Sequence, residues 1–523
     1  MENRENELSL LKKSKKGLKS LVFSRTGMVV FLLLLQLWII IAGFIHFRDY
    51  SPYFYSLNIM ISSVISAVII NNSDIDPVSK ITWLVVIITL PLFGALLFMY
   101  TKRDVGFRAL KFQFSKVMKS TDNLLTQSEE VAGKLKTESP DTAQLAYYLD
   151  RSGCYPVYEN TEIKYFPSGE EKFRQLLTEL EKAEKFIFLE YFIISEGHMW
   201  GRILDILSRK AREGVEIMVM YDGSNEFMTL PRDYSKRLRK LGIKCKVFAP
   251  ATPFVSTHYN YRDHRKILVI DNKVAFTGGI NLADEYINRY EKYGHWKDSA
   301  IMLKGDAVKS FTLMFLQMWN LTPPNVKYTN YLEYDSGHFS SDGYVIPYGD
   351  SPLDKDKVGK QVYLDILSRA NKYVYIMSPY LILDGELDNA LKFAAERGID
   401  VRLILPGIPD KKTPYALAKT HYSSLLAAGV KIYEYTPGFV HSKVFISDDI
   451  KAVVGTINLD YRSLYHHFEC AAYIYKSGCI SDIKADFENT LEKCTPVTKE
   501  TVKKEKFSTK LVGFVTKVFA PLM

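Results

Sequence analysis

Cysteine is scarce and unpatterned. The 523 residues hold five, Cys154, Cys245, Cys470, Cys479 and Cys494, and no two are spaced C-x-x-C. That pattern argues against a zinc finger, a dithiol redox motif or a disulfide framework, and free, mostly buried thiols are expected instead. Glycine (29) and proline (20) are at ordinary levels, which excludes collagen-like and low-complexity chains. With 47% hydrophobic and 24% charged residues, the chain is not disordered and is long enough for more than one core. The C-terminal four hundred residues lack long Lys/Arg runs, so they offer no basic groove for a nucleic acid. A net charge of +9 still admits an anionic partner.

Formal charge is also missing from two stretches near the N-terminus. Residues 28–47 and 81–100 carry no Lys, Arg, Asp or Glu. About 20 residues at a rise of ~1.5 Å match a hydrocarbon layer of ~30 Å, so each reads as a membrane span. A third, weaker candidate, 53–70, is uncharged but rich in Ser and Asn and reads equally well as an interfacial or re-entrant helix. Seven Lys/Arg precede the first span and six follow the last, against Glu2, Glu5, Glu7 and Asp104. The positive-inside rule then puts both flanks on the cytoplasmic side and favours two full crossings. These flanks account for the whole +9, so the basic excess faces lipid.

The expected organisation is a basic segment 1–27, a membrane anchor 28–101 and a helical linker 102–155, followed by an α/β region. In that region short β-rich runs alternate with amphipathic helical ones. KFIFLEYFII (185–194), GVEIMVMYDG (214–223) and HRKILVIDNKVAFTGGINL (264–282) recur in order as KYVYIMSPYLI (372–382), GIDVRLILPG (398–407) and HSKVFISDDIKAVVGTINL (441–459). Two copies of one α/β unit, 156–335 and 336–500, are therefore expected, related by a pseudo-two-fold. An amphipathic segment, 501–523, closes the chain and suits either a membrane surface or docking on the catalytic region.

The third block of each copy carries H-x-K-x-x-x-x-D: His264, Lys266 and Asp271, then His441, Lys443 and Asp448. Residues two apart on a strand share a face, so each His stands beside its Lys. Gly278, Gly279 and Asn281 follow the first motif, and Gly455, Thr456 and Asn458 the second. Small residues let a phosphate approach the backbone, and the amides donate to it. Two His supply a nucleophile and a general acid, and two Lys with two Asn supply a phosphate cradle. One such motif is weak; two at equivalent points of a repeat are specific.

This duplicated motif resembles the signature of the phospholipase D superfamily, over roughly residues 156–500 (motif stretches 258–285 and 436–463). More narrowly, IPDKKTPYALAKTHYSSLLAAGVKIYEYTPGFVHSKVFISDD, VVGTINLDYRSLYHHFEC and the anchor sequence DPVSKITWLVVIITLPLFG are similar to the bacterial cardiolipin synthases. The resemblance implies two phospholipase D-like lobes and a multi-pass bacterial cell-membrane protein with its catalytic part on the cytoplasmic side. It also implies phosphatidyl transfer between two phosphatidylglycerol molecules, through a phosphohistidine and without metal or cofactor. It further implies that Asp298 and Glu469 orient the two histidines. Which histidine attacks stays open, although the resemblance favours His264. Gly455-Thr456 departs from the superfamily's frequent Gly-Ser but keeps the hydroxyl. Phospholipid hydrolysis, phosphatidylserine synthesis and a membrane-tethered nuclease are the rival activities; oligomeric state is not readable.

Overall fold

A computed structural model describes residues 34, 38, 41, 51–73, 75, 77–102, 105–250, 261–339 and 341–520. They fall into two units, one holding Gln113–Pro250 and Tyr261–Lys517, the other the preceding helices up to Phe112.

The larger unit contains two sheets with one strand order. The first runs, edge to edge, Thr161–Phe166, Ala300–Gly305, Val274–Gly278, Lys266–Ile270, Phe186–Tyr191, Glu216–Asp222, Lys244–Phe248. The second runs Tyr344–Asp350, His467–Tyr475, Lys451–Gly455, Val444–Ser447, Tyr373–Met377, Asp400–Pro406, Lys431–Tyr435, with Cys494–Pro496 added at the edge. The matching order bears out the repeated α/β lobes. In each lobe the three strands after the first helix are parallel and the motif strand is antiparallel to its neighbours. Their apolar runs are continuous because helices cover both faces: Ile187, Leu189, Leu268 and Phe276 pack in one core with Trp200 and Leu204. Three helices, Val105–Thr121, Glu129–Glu138 and Pro140–Gly153, occupy the stretch expected as a linker.

Two short parallel pairings join the lobes. Arg262–Asp263 lies beside His467–Phe468, and Gly438–Val440 beside His295–Lys297. Each pairing runs straight into a motif histidine on one strand and an acidic residue on the other. Phe439 from the second lobe also enters the core of the first.

The smaller unit changes the reading of the anchor. Of the first expected span, 28–47, only Leu34, Trp38 and Ile41 are described, each helical; the rest, like the basic segment before it, lies outside the described residues. The second, 81–100, is not one helix. Pro77–Thr89 and Pro91–Lys102 are separate helices that fold back on each other at Leu90. A Cβ on Gly94 would lie 2.8 Å from the Ile87 Cα, and Trp83 meets Phe98 edge-on at 5.3 Å. Pro91 lacks the N–H that a continuous helix needs and is at home in a helix's first turn. At about 1.5 Å per residue each arm is near 20 Å long, short of a ~30 Å hydrocarbon core. The weaker candidate, 53–70, is the long helix of this unit, Ser51–Asn71. Among the described residues no helix is long and apolar enough to cross a membrane.

Candidate active site

His264 and His441 each precede a central strand by two or three residues. The backbone N–H of His264 donates to Phe468 O at 3.0 Å, and that of His441 to Lys297 O at 2.7 Å. The next residue on each opposing strand is an acid, and each acid reaches the histidine of the other lobe. His264 Nδ1 lies 2.9 Å from both carboxylate oxygens of Glu469. His441 Nδ1 lies 2.7 Å from Asp298 Oδ2. The acids are thus exchanged between lobes, and the site exists only where the lobes meet.

Both acids are fully buried. Burial alone would raise their pKa, but the histidine each faces, joined by Lys443 and the Ser299 amide at Asp298 and by His467 at Glu469, outweighs it and holds them below the usual carboxylate range. Burial pushes both histidines down, His441 to about 4, with Lys443 adding to the fall. The resting pairs are therefore neutral imidazole beside carboxylate. A carboxylate only accepts, so each Nδ1 carries the proton and each Nε2 keeps its lone pair. Lys443 Nζ is also 2.9 Å from His441 Nδ1. A protonated Nδ1 cannot accept from it, so that lysine acts there as a neighbouring charge and donates to His441 O.

Lys266 Nζ donates to His264 O, as Lys443 does to its own motif histidine. Both lysines are buried, among the described residues neither has a carboxylate within ion-pair reach, and burial lowers Lys266 to about 8 and Lys443 to about 7. Two cations held without a direct counter-ion suit an arriving anion. Lys172, which the sequence reading missed, is a third. It is fully buried, brought to about 7 by burial, and bonded to Tyr191 Oη (3.2 Å) and to the carbonyl of Ile280 beside Asn281 (3.3 Å). Its only signal in the sequence is a polar residue on the apolar face of an amphipathic helix.

The remaining expected site residues are placed differently. Asp271 and Asp448 do not join the site. Each stands at the far end of its strand with positive φ. Asp271 accepts the amides of Glu184, Lys185 and Phe186, and Asp448 those of Asn371, Lys372 and Tyr373, all at 2.7–3.0 Å. They fasten the helix-to-strand turn of each lobe. Asn281 spends its amide within the fold, accepting from Ile193 N and donating to Tyr286 Oη. Asn458 instead has a buried amide oxygen with no partner among the described residues, an acceptor that suits a ligand's hydroxyl rather than a phosphate oxygen. Gly279 is small for a different reason than phosphate approach: its Cβ would fall 2.0 Å from Asp298 Oδ1 and 2.8 Å from His441 O. At the matching place in the second lobe Thr456 bonds Glu469 through its hydroxyl, and Ser463 adds a second hydroxyl at 2.7 Å. Residues 258–260 of the first motif stretch lie outside the described residues. All five cysteines are free thiols, as expected, and Cys494 alone is partly exposed.

Comparison with known proteins agrees with this geometry. The family model described as "Cardiolipin synthase, PLD-like domain" matches residues 176–319 and 363–491. A cardiolipin synthase of Geobacillus sp. (strain WCH70) is 34% identical over 90% of this chain and 93% of its own length. Cardiolipin synthase 2 of Bacillus cereus is 33% identical over 86% and 87%. A protein of Streptococcus mutans serotype c, described only as uncharacterized, is 61% identical over 89% of this chain and all of its own. The crystal structure of a phosphatidylserine synthase from Haemophilus influenzae superposes with a TM-score of 0.53 at 15% identity, covering 73% of this chain and 97% of that one; at that identity the likeness is one of fold. With two lobes in one strand order and both histidine motifs facing one junction, the chain belongs to the cardiolipin synthases, phosphatidyltransferases of the phospholipase D superfamily.

Proposed function

We propose that the junction of the lobes carries out phosphatidyl transfer from one phosphatidylglycerol to another. The observation that supports this most is the exchange of acids, which leaves two neutral histidines with free Nε2 atoms beside two unpaired lysines. One histidine, assigned here as His264, attacks phosphorus through Nε2. The bond to the departing glycerol oxygen breaks, and that oxygen takes its proton from Nε2 of His441, which is protonated from solvent as the anionic phosphodiester arrives. The phosphatidyl group is then held on His264. The glycerol hydroxyl of a second phosphatidylglycerol loses its proton to His441 and attacks phosphorus, releasing cardiolipin and freeing the histidine. Lys266 and Lys443 neutralise the phosphate oxygens as charge builds. Glu469 and Asp298 hold the tautomers and stabilise each imidazolium as it forms.

The substrate is a membrane lipid, and the protein presents apolar surface for one. Helix Ser51–Asn71 exposes Leu57, Ile59, Met60, Val64, Val68 and Ile70, and helix Phe507–Phe519 exposes Phe507, Leu511 and Phe514. Single apolar residues on a surface are ordinary; rows of them mark a contact surface. We assign both rows to the lipid of the bacterial cell membrane, with the catalytic lobes on its cytoplasmic face.

Purified full-length protein in mixed detergent–phosphatidylglycerol micelles, with labelled lipid, tests the reaction. Cardiolipin and free glycerol in equal amounts are expected. Phosphatidic acid as the sole phospholipid product would make the protein a hydrolase and overturn the reading.

A further inference from the structure

His467 stands beside His264, and the proposed reaction leaves it without work. It lies at the start of the strand that delivers Glu469, with 8% of its surface exposed. Both ring nitrogens are buried and, among the described residues, neither has a hydrogen-bond partner within 3.5 Å. Burying two polar nitrogens without partners is costly, so the position invites a ligand. The ring is 5.3 Å from that of His264, centroid to centroid, and its Nδ1 is 3.6 Å from Glu469 Oε1. The same carboxylate oxygen is 2.9 Å from His264 Nδ1. One ligand atom from each of His264, His467 and Glu469 lies within 4.8 Å of the other two.

Those separations have a meaning for metal chemistry. Zinc binds imidazole nitrogen and carboxylate oxygen at about 2.0–2.2 Å in a tetrahedron, which puts neighbouring ligand atoms about 3.3 Å apart. The two measured gaps, 2.9 and 3.6 Å, bracket that spacing. Two imidazoles and a carboxylate form a donor set that zinc, cobalt and nickel accept and magnesium does not favour. A fourth position is left for water.

We propose that His264, His467 and Glu469 form a binding site for a divalent transition metal of the zinc class, and that its occupation switches the enzyme off. The tautomer gives the reason. In the resting pair the Nδ1 proton of His264 points to Glu469 and Nε2 has the lone pair. Metal on Nδ1 displaces that proton to Nε2, with no net proton lost. The lone pair that attacks phosphorus is then gone, and Glu469 is drawn from the imidazole to the metal. Phosphohistidine formation and metal binding exclude each other.

The inhibition rests on the function proposed above; the binding does not, and the two are measured separately. Zn2+ is titrated into the full-length protein by competition with a chromophoric chelator, and Co2+ is added as a spectroscopic probe. One metal bound at the site and the intense visible absorption of four-coordinate cobalt are expected. His467→Asn should weaken binding by at least the 10–100-fold that loss of even an outer-shell partner costs, and should raise the zinc concentration for half-inhibition in step, each variant measured against its own metal-free rate. EDTA should restore the wild-type rate. Equal zinc affinity in wild type and His467→Asn, or absence of the cobalt band from wild type, overturns the site; the cobalt measurement stands even if the variant fails to fold. Zinc bound at this site with turnover unaffected would leave the site intact and remove His264 from the reaction.

Discussion

The two histidines are placed by the same backbone device but live in different surroundings. Each takes an acid from the opposite lobe across a short parallel pairing. Around His441 the walls are aromatic, with Trp296, Tyr286 and Phe439 at 5.3, 5.5 and 5.8 Å between ring centres, and Lys443 presses on its Nδ1. Around His264 they are Phe192 and His467. The acids differ in the same way. Asp298 has a backbone amide, that of Ser299, as its further donor at 2.8 Å. Glu469 is braced by the hydroxyls of Thr456 and Ser463. The origin is one position of the repeat. Where the second lobe has Thr456, the first has Gly279, and contact with Asp298 and His441 leaves no room there for a side chain. The two lobes share one frame, and the junction leaves room for a side chain at this position in only one of them.

That comparison can be broken at several depths. The largest effect is expected from His264→Ala and His441→Ala, each lowering kcat by at least ~10⁴-fold, since both half-reactions use both residues; a single-turnover assay that still formed phosphohistidine in His264→Ala would move the attacking role to His441. Next, Glu469→Gln and Asp298→Asn should each cost about 10²- to 10⁴-fold in kcat, with Glu469→Gln the worse because three side chains are organised around it. An equal loss would mean that the hydroxyl bracing does nothing for catalysis.

The lysines predict a pH dependence with a definite sign. Below about 7 both Lys443 and Lys266 are charged in the empty site. As pH rises past that point Lys443 loses its proton first, and binding a phosphate then requires taking one up. KM for phosphatidylglycerol should therefore be flat below about 7, rise toward ~10-fold per pH unit above it, and steepen above about 8 as Lys266 follows. A KM constant across this range would show that the lysines do not bind phosphate. The smallest effects should come from the motif aspartates, and they should appear in stability rather than rate. Asp271→Ala should lose about 2–3 kcal/mol in chemical denaturation and Asp448→Ala, which is more exposed, about 1–2 kcal/mol, with kcat near wild type in both. A drop in kcat without a drop in stability would return them to the site.

Much of this was legible from residues alone. The two repeated α/β lobes followed from three blocks recurring in sequence, and His264, Lys266, His441 and Lys443 from a motif repeated at matching points. What was hidden is non-local. That Glu469 serves His264 and Asp298 serves His441 depends on how one lobe docks on the other, which no spacing within a lobe encodes. The motif aspartates close their strands as their place at the strand end suggests, but the amides that Asp271 and Asp448 each bind, three apiece, lie some 80 residues away along the chain and could not be named from the motif. The fold-back at Leu90 did have a sign, Pro91 in the middle of an apolar run, but hydropathy averages over it.

The exchange of acids has a consequence for how such an enzyme is put together and how it fails. A single lobe holds a histidine and a carboxylate that belong to different pairs, so alone it has no working half. One lobe by itself would need a second copy to supply the missing acid, and carrying both lobes on one polypeptide makes that partnership permanent. By the same logic, anything that parts the lobes disarms both histidines at once: the protein has no half-active state to pass through.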